Sequence, residues 1–490
     1  MSNKDILVFI SDQHSWQQQG YAGDKLIRTP NLDRIAASGT VMMNSYTSYP
    51  LCVPARMSMM SSQLASHCGV MSNFAALDSN CATFAHCLNA NGYETVLCGR
   101  MHFVGPDQRH GFSKRIAGEQ TPIFHNRPNA AMAAERGVHD RTPQGGVSSL
   151  SAIGAGNSPT LEYDRYVVSE ATTYLSGSYD APQFLCVGTY GPHHPYVAPK
   201  ELYEYYLDKV DIPEDTFDYP EHPAIDGKIL RDCDPEVVRA VRASYYGMVE
   251  FEDQQIGIVY DAFQEYLKRN GREGIFVYVS DHGEQAGYRG YYGKGSFYDA
   301  SAHIPMIFAG DGIGQGKTLQ GATSLMDLGP TLCEYAGAIL PPDADGVSLY
   351  PQLTGAADDT ERMVVSEVGG EKDNPAGDFS YGQMVKWKQY KLIHYYGFDA
   401  EDVLYDLTAD PKESENIISK YPDIAQKMRG YLNGACKLTV DEMKANADKL
   451  RRNLKILNKC SFDSEERWKA PECSRHYPEL MVTSKLAKMK

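Results

Sequence analysis

The segment Cys52-Val53-Pro54-Ala55-Arg56, followed by Met57-Ser58-Met59-Met60-Ser61-Ser62-Gln63, sets a thiol, a proline and a guanidinium at fixed spacing ahead of a helical stretch. Four more segments carry residue types used in proton transfer, nucleophilic attack and anion or metal binding. Asp12-Gln13 and Asp281-His282-Gly283 each follow an apolar run, Gly99-Arg100-Met101-His102 follows another, and Pro192-His193-His194-Pro195 lies just past a fourth. Lys294 comes shortly after the second acidic pair. Each residue singly has an ordinary structural explanation: a cysteine buried before a helix, an Asp capping a helix, a loop His bonded to backbone. Together those explanations need several catalytic residue types to stand at strand ends by coincidence, which favours a reaction centre.

The elements that must position these residues are legible as apolar runs. Ile6 to Ile10 ends in Ser11-Asp12-Gln13, and Thr95 to Cys98, Phe184 to Gly188 and Ile275 to Val279 read the same way, as buried central strands. Amphipathic stretches from Asn31 to Ala37 and from Thr83 to Asn89 lie between them. Buried strands alternating with helices predict an α/β fold with a large, mostly parallel sheet sandwiched by helices, whose ligands bind beyond the carboxyl ends of the strands. Gly118 to Ser158 and Asp211 to Asp234 read as long loops. After about Asn374 the texture changes to strands at Gln383 to Trp387 and Tyr390 to Tyr395 and helices at Tyr421 to Leu432 and Val440 to Leu457. We therefore divide the chain into a catalytic domain, 1–374, and a smaller C-terminal α+β subdomain with a helical tail, 375–490.

At 490 residues the chain is long enough for one large domain with an accessory one, and 42% apolar with 22% charged residues is ordinary for a globular protein. A net charge of −16 disfavours nucleic acid and anionic membranes, so an anionic substrate must be drawn in by a local cluster of Arg, Lys, His and metal. The opening apolar stretch is too short for a signal-peptide core or a membrane span, and eleven cysteines without CxxC pairs suit a reducing compartment, so a cytoplasmic location is expected.

The Cys52 segment resembles the maturation signature Cys-x-Pro-x-Arg of the type I sulfatases of the alkaline phosphatase superfamily. Its companions fall in the order expected of that family. Asp12-Gln13 and Asp281-His282 resemble the two metal-ligand pairs, Gly99-Arg100-Met101-His102 resembles Gly-Lys-x-His, and Pro192-His193-His194-Pro195 resembles Pro-His-x-Pro. Lys294 stands where a catalytic Lys follows the second metal pair, and Leu404-Tyr405-Asp406-Leu407 with Asp410-Pro411-Lys412-Glu413 resembles part of the family's C-terminal subdomain. The resemblance implies an alkaline phosphatase-like fold and one divalent ion held by Asp12, Gln13, Cys52, Asp281 and His282. Ca²⁺ is the first expectation, with Mg²⁺ or Mn²⁺ as alternatives because His282 offers nitrogen. It also implies that a maturation enzyme oxidises Cys52 to formylglycine, whose hydrate attacks sulfur and later expels sulfate. In that scheme Arg56 fixes the hydrate, Arg100 and Lys294 bind sulfate oxygens, His193 or Lys294 protonates the departing alcohol, and His102 is the base of the second step.

The expected activity is thus hydrolysis of a small anionic sulfate ester. Phosphonate or phosphate ester hydrolases of the same superfamily are the alternative, and a silent binding protein on the same scaffold would be expected to lack some of these residues. The stretch from Pro50 to Phe112 is particularly similar to choline sulfatases; a sulfated carbohydrate or choline sulfate is the expected substrate, with an aryl sulfate as the remaining alternative. A homo-oligomer is compatible with this reading.

Overall fold

The computed structural model of the chain describes residues 4–121, 150, 152–219, 224, 229–231, 233–373, 379–398, 401–457, 459 and 480–481. Strands in chain order are β1 (Lys4–Asp12), β2 (Gly39–Tyr46), β3 (Glu94–Gly99), β4 (Lys114–Ala117), β5 (Ile153–Ala155), β6 (Gln183–Pro192), β7 (Tyr196–Ala198), β8 (Glu273–Ser280), β9 (Met306–Gly310) and β10 (Lys317–Ser324). They are followed by β11 (Met363–Asp373), β12 (Phe379–Trp387), β13 (Tyr390–Tyr396), β14 (Val403–Asp406) and β15 (Leu480–Met481).

The main sheet has eight strands in the order β10-β2-β9-β8-β1-β6-β3-β4. Only β9 runs antiparallel to its neighbours, which makes the sheet mixed and mostly parallel, as expected. The continuous apolar run of β1 is explained by burial on both faces: Ile6, Val8 and Ile10 join one core, Leu7 and Phe9 the other. Met57, Met59 and Met60 of the helix Cys52–Ser61 pack into the first core. The second receives the helices Pro159–Leu175 and Pro235–Asn270. The latter, 36 residues long, is an element the sequence reading did not single out.

The β8, β1, β6 and β3 strands are consecutive neighbours, and Val279, Ile10, Gly188 and Gly99 stand in register across them. Because adjacent strands lie about 4.8 Å apart, whatever follows these residues comes out in one row. Close approach of β6 to the segment after β3 requires glycine: a Cβ on Gly188 would lie 1.9 Å from the Arg100 carbonyl oxygen.

The expected loop from Gly118 to Ser158 lies largely outside the described residues, but its described end contains β5, which pairs with β7. Within Asp211 to Asp234 the described backbone includes one 3-10 turn, Glu214–Phe217. The four-stranded antiparallel sheet β11-β12-β13-β14 carries the C-terminal helices Pro422–Ala435 and Val440–Leu457. Residue 374, where we drew the domain line, is outside the described residues, and β11, the first strand of that sheet, lies before it.

Two glycine substitutions test this packing. Gly188→Ala is expected to cost about 1–3 kcal/mol, since backbone must shift to admit the methyl group, and to lower the thermal midpoint. Gly430→Ala, in an exposed helical turn with nothing within 4 Å of the added atom, is expected to be neutral or to stabilise by about 0.5–1 kcal/mol.

Candidate active site

Four of the expected segments emerge from that row: Asp281-His282 after β8, Asp12-Gln13 at the end of β1, His193-His194 after β6, and Arg100 to His102 after β3. Cys52 arrives from the side as the first residue of the helix Cys52–Ser61, all ten residues of which are buried. Pro54 is tolerated in the first turn, where its missing N–H removes no intrahelical bond. Arg56, one turn on, lies on the same face as Cys52 and points at the same strand ends.

Asp12, Asp281, His282 and Cys52 each bring one ligand atom into a cluster whose members all lie within 4.8 Å of one another. His282 Nε2 is 3.7 Å from Asp12 Oδ1, 3.6 Å from Asp281 Oδ1 and 3.2 Å from Cys52 Sγ. The other oxygen of each carboxylate is occupied by arginine: Arg56 Nε donates to Asp281 Oδ2 (2.8 Å), and Arg100 Nε (2.6 Å) and Arg56 Nη2 (3.3 Å) reach Asp12 Oδ2. Burial alone would raise Asp12, but the cations around it, Arg100 first and then Arg56 and Lys294, hold it well below the usual carboxylate range. The donor set fits a divalent cation, with one carboxylate oxygen from each aspartate turned inward.

Donor-only and acceptor-only partners fix three imidazole tautomers. The Nδ1 of His282 lies 3.0 Å from the Gly283 carbonyl oxygen and so carries the proton, leaving Nε2 free to bind metal. The Nδ1 of His193 lies 2.6 Å from the His194 carbonyl oxygen, so His193 Nε2 accepts from Lys294 Nζ at 2.5 Å. The Nδ1 of His102 accepts from Arg100 Nη2 at 2.9 Å, which places its proton on Nε2. Burial lowers all three, most for His102 and His193, which also face Arg100 and, for His193, His194 and Lys294. They are neutral at pH 7. Burial, reinforced by Asp12, pushes the Cys52 thiol up to about 11 despite its place at a helix N-terminus.

Three expected residues have partners other than those anticipated. Gln13 turns its amide oxygen to Lys294 Nζ (2.5 Å) and its amide N–H to Glu284 and His194, so its contact with a metal is not the one seen here. Arg56 spends its hydrogen bonds on Asp281, Asp12 and the Arg100 carbonyl, orienting the carboxylates. Arg100 is fully buried and engaged by Asp12, Thr121, Glu119 and His102, with its guanidinium 4.6 Å from the Tyr190 ring centroid. His102 and Lys294 are the partly exposed groups of the set.

The sequence reading missed Glu119 and Glu284. Glu119 accepts the backbone N–H groups of Met101 (3.2 Å) and His102 (2.8 Å), securing His102 at a φ of 60°, and its arginine neighbours, Arg100 first, bring it down to about 2 against burial. It sits in a Gly- and Pro-rich stretch without periodicity, so no pattern marked it. Glu284 accepts the N–H groups of Ala286 and Gly293 and thereby shapes the approach to Lys294. Its place directly after Asp281-His282-Gly283 was the available signal.

Residues 4–338 match the sulfatase family, and residues 287–437 match the N-sulphoglucosamine sulphohydrolase C-terminal family. The chain belongs to the sulfatase family. It is 31% identical to a choline-sulfatase of Rhizobium meliloti over 90% of this chain and 86% of that protein. Among solved structures, this sulfatase superposes on a phosphonate monoester hydrolase of Agrobacterium radiobacter with a TM-score of 0.71, at 22% identity, covering 88% of this chain and 95% of that one. It superposes on a 2-O GAG sulfatase with a TM-score of 0.67, also at 22% identity, covering 97% and 96%. At such identities these two likenesses speak to the alkaline phosphatase-like fold.

Elemental analysis tests the metal centre without reference to turnover. Wild-type protein is expected to carry a divalent ion and to lose thermal stability on chelation, while Asp12→Ala and Asp281→Ala purify without stoichiometric metal. A metal-free wild type indifferent to added Ca²⁺, Mg²⁺ and Mn²⁺ would reject the centre.

Proposed function

We infer that this chain hydrolyses a sulfate monoester to an alcohol and inorganic sulfate, with residue 52, oxidised from cysteine to formylglycine, as nucleophile. The observation that carries this reading is Cys52 itself: in a chain of the sulfatase family, its Sγ faces Asp12, Asp281 and His282 at the head of a buried helix. The sulfur marks where the oxygens of the converted residue would stand. Hydrated formylglycine supplies two hydroxyls on one carbon, so that one can attack and the other can later expel the sulfate. A divalent ion held by Asp12, Asp281 and His282 would withdraw charge from a sulfate oxygen, and Ca²⁺ remains our first assignment with Mg²⁺ or Mn²⁺ as alternatives.

Between the two groups considered for protonating the leaving oxygen, the tautomers favour Lys294. Its ammonium donates to Gln13 Oε1 and His193 Nε2 and retains a third N–H, whereas neutral His193 has its one proton committed to a carbonyl. His193 thus holds Lys294 in place. If His102 is the base of the second step, as the family resemblance implies, its contact with Arg100 Nη2 is the one the cycle must break, because a donor occupies the lone pair of Nδ1.

For the substrate we propose choline sulfate first and a sulfated sugar second, on the strength of the choline-sulfatase similarity across most of the chain. The cytoplasm remains our assignment from the cysteines, nine of which are described and free. Among the described residues no helix is long and apolar enough to cross a membrane.

Protein made with a maturation system is expected to lose about 18 Da at Cys52, and a fully active enzyme with an unmodified thiol there would sink the mechanism. On a panel of choline sulfate, sulfated monosaccharides, an aryl sulfate and an aryl phosphonate, the sulfates should be turned over faster. A preference for the phosphonate would move the chain to the alternative activity. Lys294→Ala should slow alkyl and sugar sulfates far more than sulfates of acidic phenols, which need little protonation. His102→Ala should release alcohol in a burst equal to the enzyme concentration before a slow steady state.

A further inference from the structure

Behind the metal cluster the β1–β6 ladder breaks. Ile10 pairs with Gly188 but Asp12 pairs with Pro192, so Thr189, Tyr190 and Gly191 form a bulge that leads directly into His193. Two carboxyl groups, Asp164 from the helix Pro159–Leu175 and Glu252 from the helix Pro235–Asn270, converge on that bulge, and both are fully buried. Asp164 accepts the backbone N–H of Tyr190 through Oδ1 (2.6 Å) and of Gly191 through Oδ2 (2.9 Å). Glu252 Oε1 accepts the hydroxyls of Thr189 and, at 2.8 Å, of Ser11 on β1. Among the described residues its Oε2 has no hydrogen-bond partner. A Cβ placed on Gly191 would lie 2.8 Å from Asp164 Oδ2 and 2.9 Å from Glu252 Oε2, so both oxygens face the same small space and glycine leaves it open.

We propose that Glu252 and Asp164 form a carboxylic acid–carboxylate pair, with the proton on Glu252, that positions the bulge carrying His193 against Lys294. Two buried carboxylates turned toward one space repel unless one is neutral. Asp164 is the one fitted to be ionised, because both of its oxygens already accept from backbone N–H groups. Glu252 Oε2 is the oxygen free to carry hydrogen. Burial raises both acids, and the charge of Asp164 raises Glu252 further, well above its ordinary value. The charges that bear on the pair from outside are Arg100 and Asp12 on Asp164 and Asp253 on Glu252, of which only Arg100 is a cation. Among the described residues neither member has a hydrogen bond or ion pair to the metal cluster. The pair is a positioning device: Thr189 and Ser11 tie the bulge to β1, and Tyr190, set edge-on to His193 at 4.7 Å between ring centroids, transmits its placement.

The consequence for turnover rests on the sulfatase reading, whereas the ionisation of the pair does not, and the test separates them. Glu252→Gln keeps two acceptor contacts through Oε1 and offers an amide N–H in place of the acid hydrogen. Asp164→Asn puts an N–H donor against a backbone N–H. The asymmetry is therefore the readout. Glu252→Gln is expected to melt close to wild type, keep kcat/KM within about threefold and lose one carboxylic-acid C=O band from the infrared spectrum. Asp164→Asn and Glu252→Ala should melt lower, and their kcat should fall by about tenfold or more with little change in KM, most severely for poor leaving groups. Failure of Asp164→Asn to fold, beside a folded Glu252→Gln, gives the same ordering. Equal damage from the two isosteric changes, the reverse order, a misfolded Glu252→Gln or an unchanged infrared band overturns the proposal. If no sulfate ester is hydrolysed by wild type, the functional reading fails while the melting order and the infrared band still decide the pair.

Discussion

Asp12 and Asp281 are fully buried, and each turns one oxygen toward the same imidazole nitrogen of His282. Converging buried anions are costly unless positive charge is delivered to them, and much of the surrounding structure serves that demand. Arg56 bridges both carboxylates from the buried helix, and Arg100 reaches Asp12 from β3. Their guanidiniums take the outward oxygens and leave the inward ones for a cation. With both guanidiniums paired to carboxylates, Lys294 is the cation of the set that is left partly exposed.

The arginines in turn impose a second layer. Arg100 is itself buried and is balanced by Glu119, which also clamps the backbone of Met101 and His102. Charge therefore alternates outward from the cluster: carboxylate, guanidinium, carboxylate. Behind the cluster no guanidinium is hydrogen-bonded to either acid among the described residues, and there the two carboxyl groups meet over Gly191. Neutralising one by a proton meets the same constraint that arginine meets elsewhere.

Hydrogen-bond direction does the remaining work. An arginine can only donate and a carbonyl can only accept, so the proton of each site histidine is placed by its fixed neighbour. His282 presents a lone pair to the cluster, His193 presents one to Lys294, and His102 presents a hydrogen. The groups left partly exposed are His102 and Lys294, the faces a substrate would meet.

The amino-acid sequence by itself determined the strands and what stands at their ends. A strand buried on both faces must be apolar throughout, so Ile6 to Ile10 and Ile275 to Val279 announce themselves, and the polar residues that follow must lie beyond the carboxyl ends of the strands. It also determined the helix after Cys52 and the pieces of the C-terminal sheet. Tertiary structure decided which ends are neighbours, because the order β8-β1-β6-β3 is not encoded in any local period. It decided that Arg56 and Arg100 face aspartates, that the Gln13 amide faces Lys294, that Glu119 clamps the backbone of His102, and that Asp164 and Glu252 meet behind the bulge leading to His193. A buried carboxylate on a long helix looks locally like any other polar residue; only the chain packed against it, 63 residues away for Thr189 and 241 for Ser11, gives it a partner and fixes its charge.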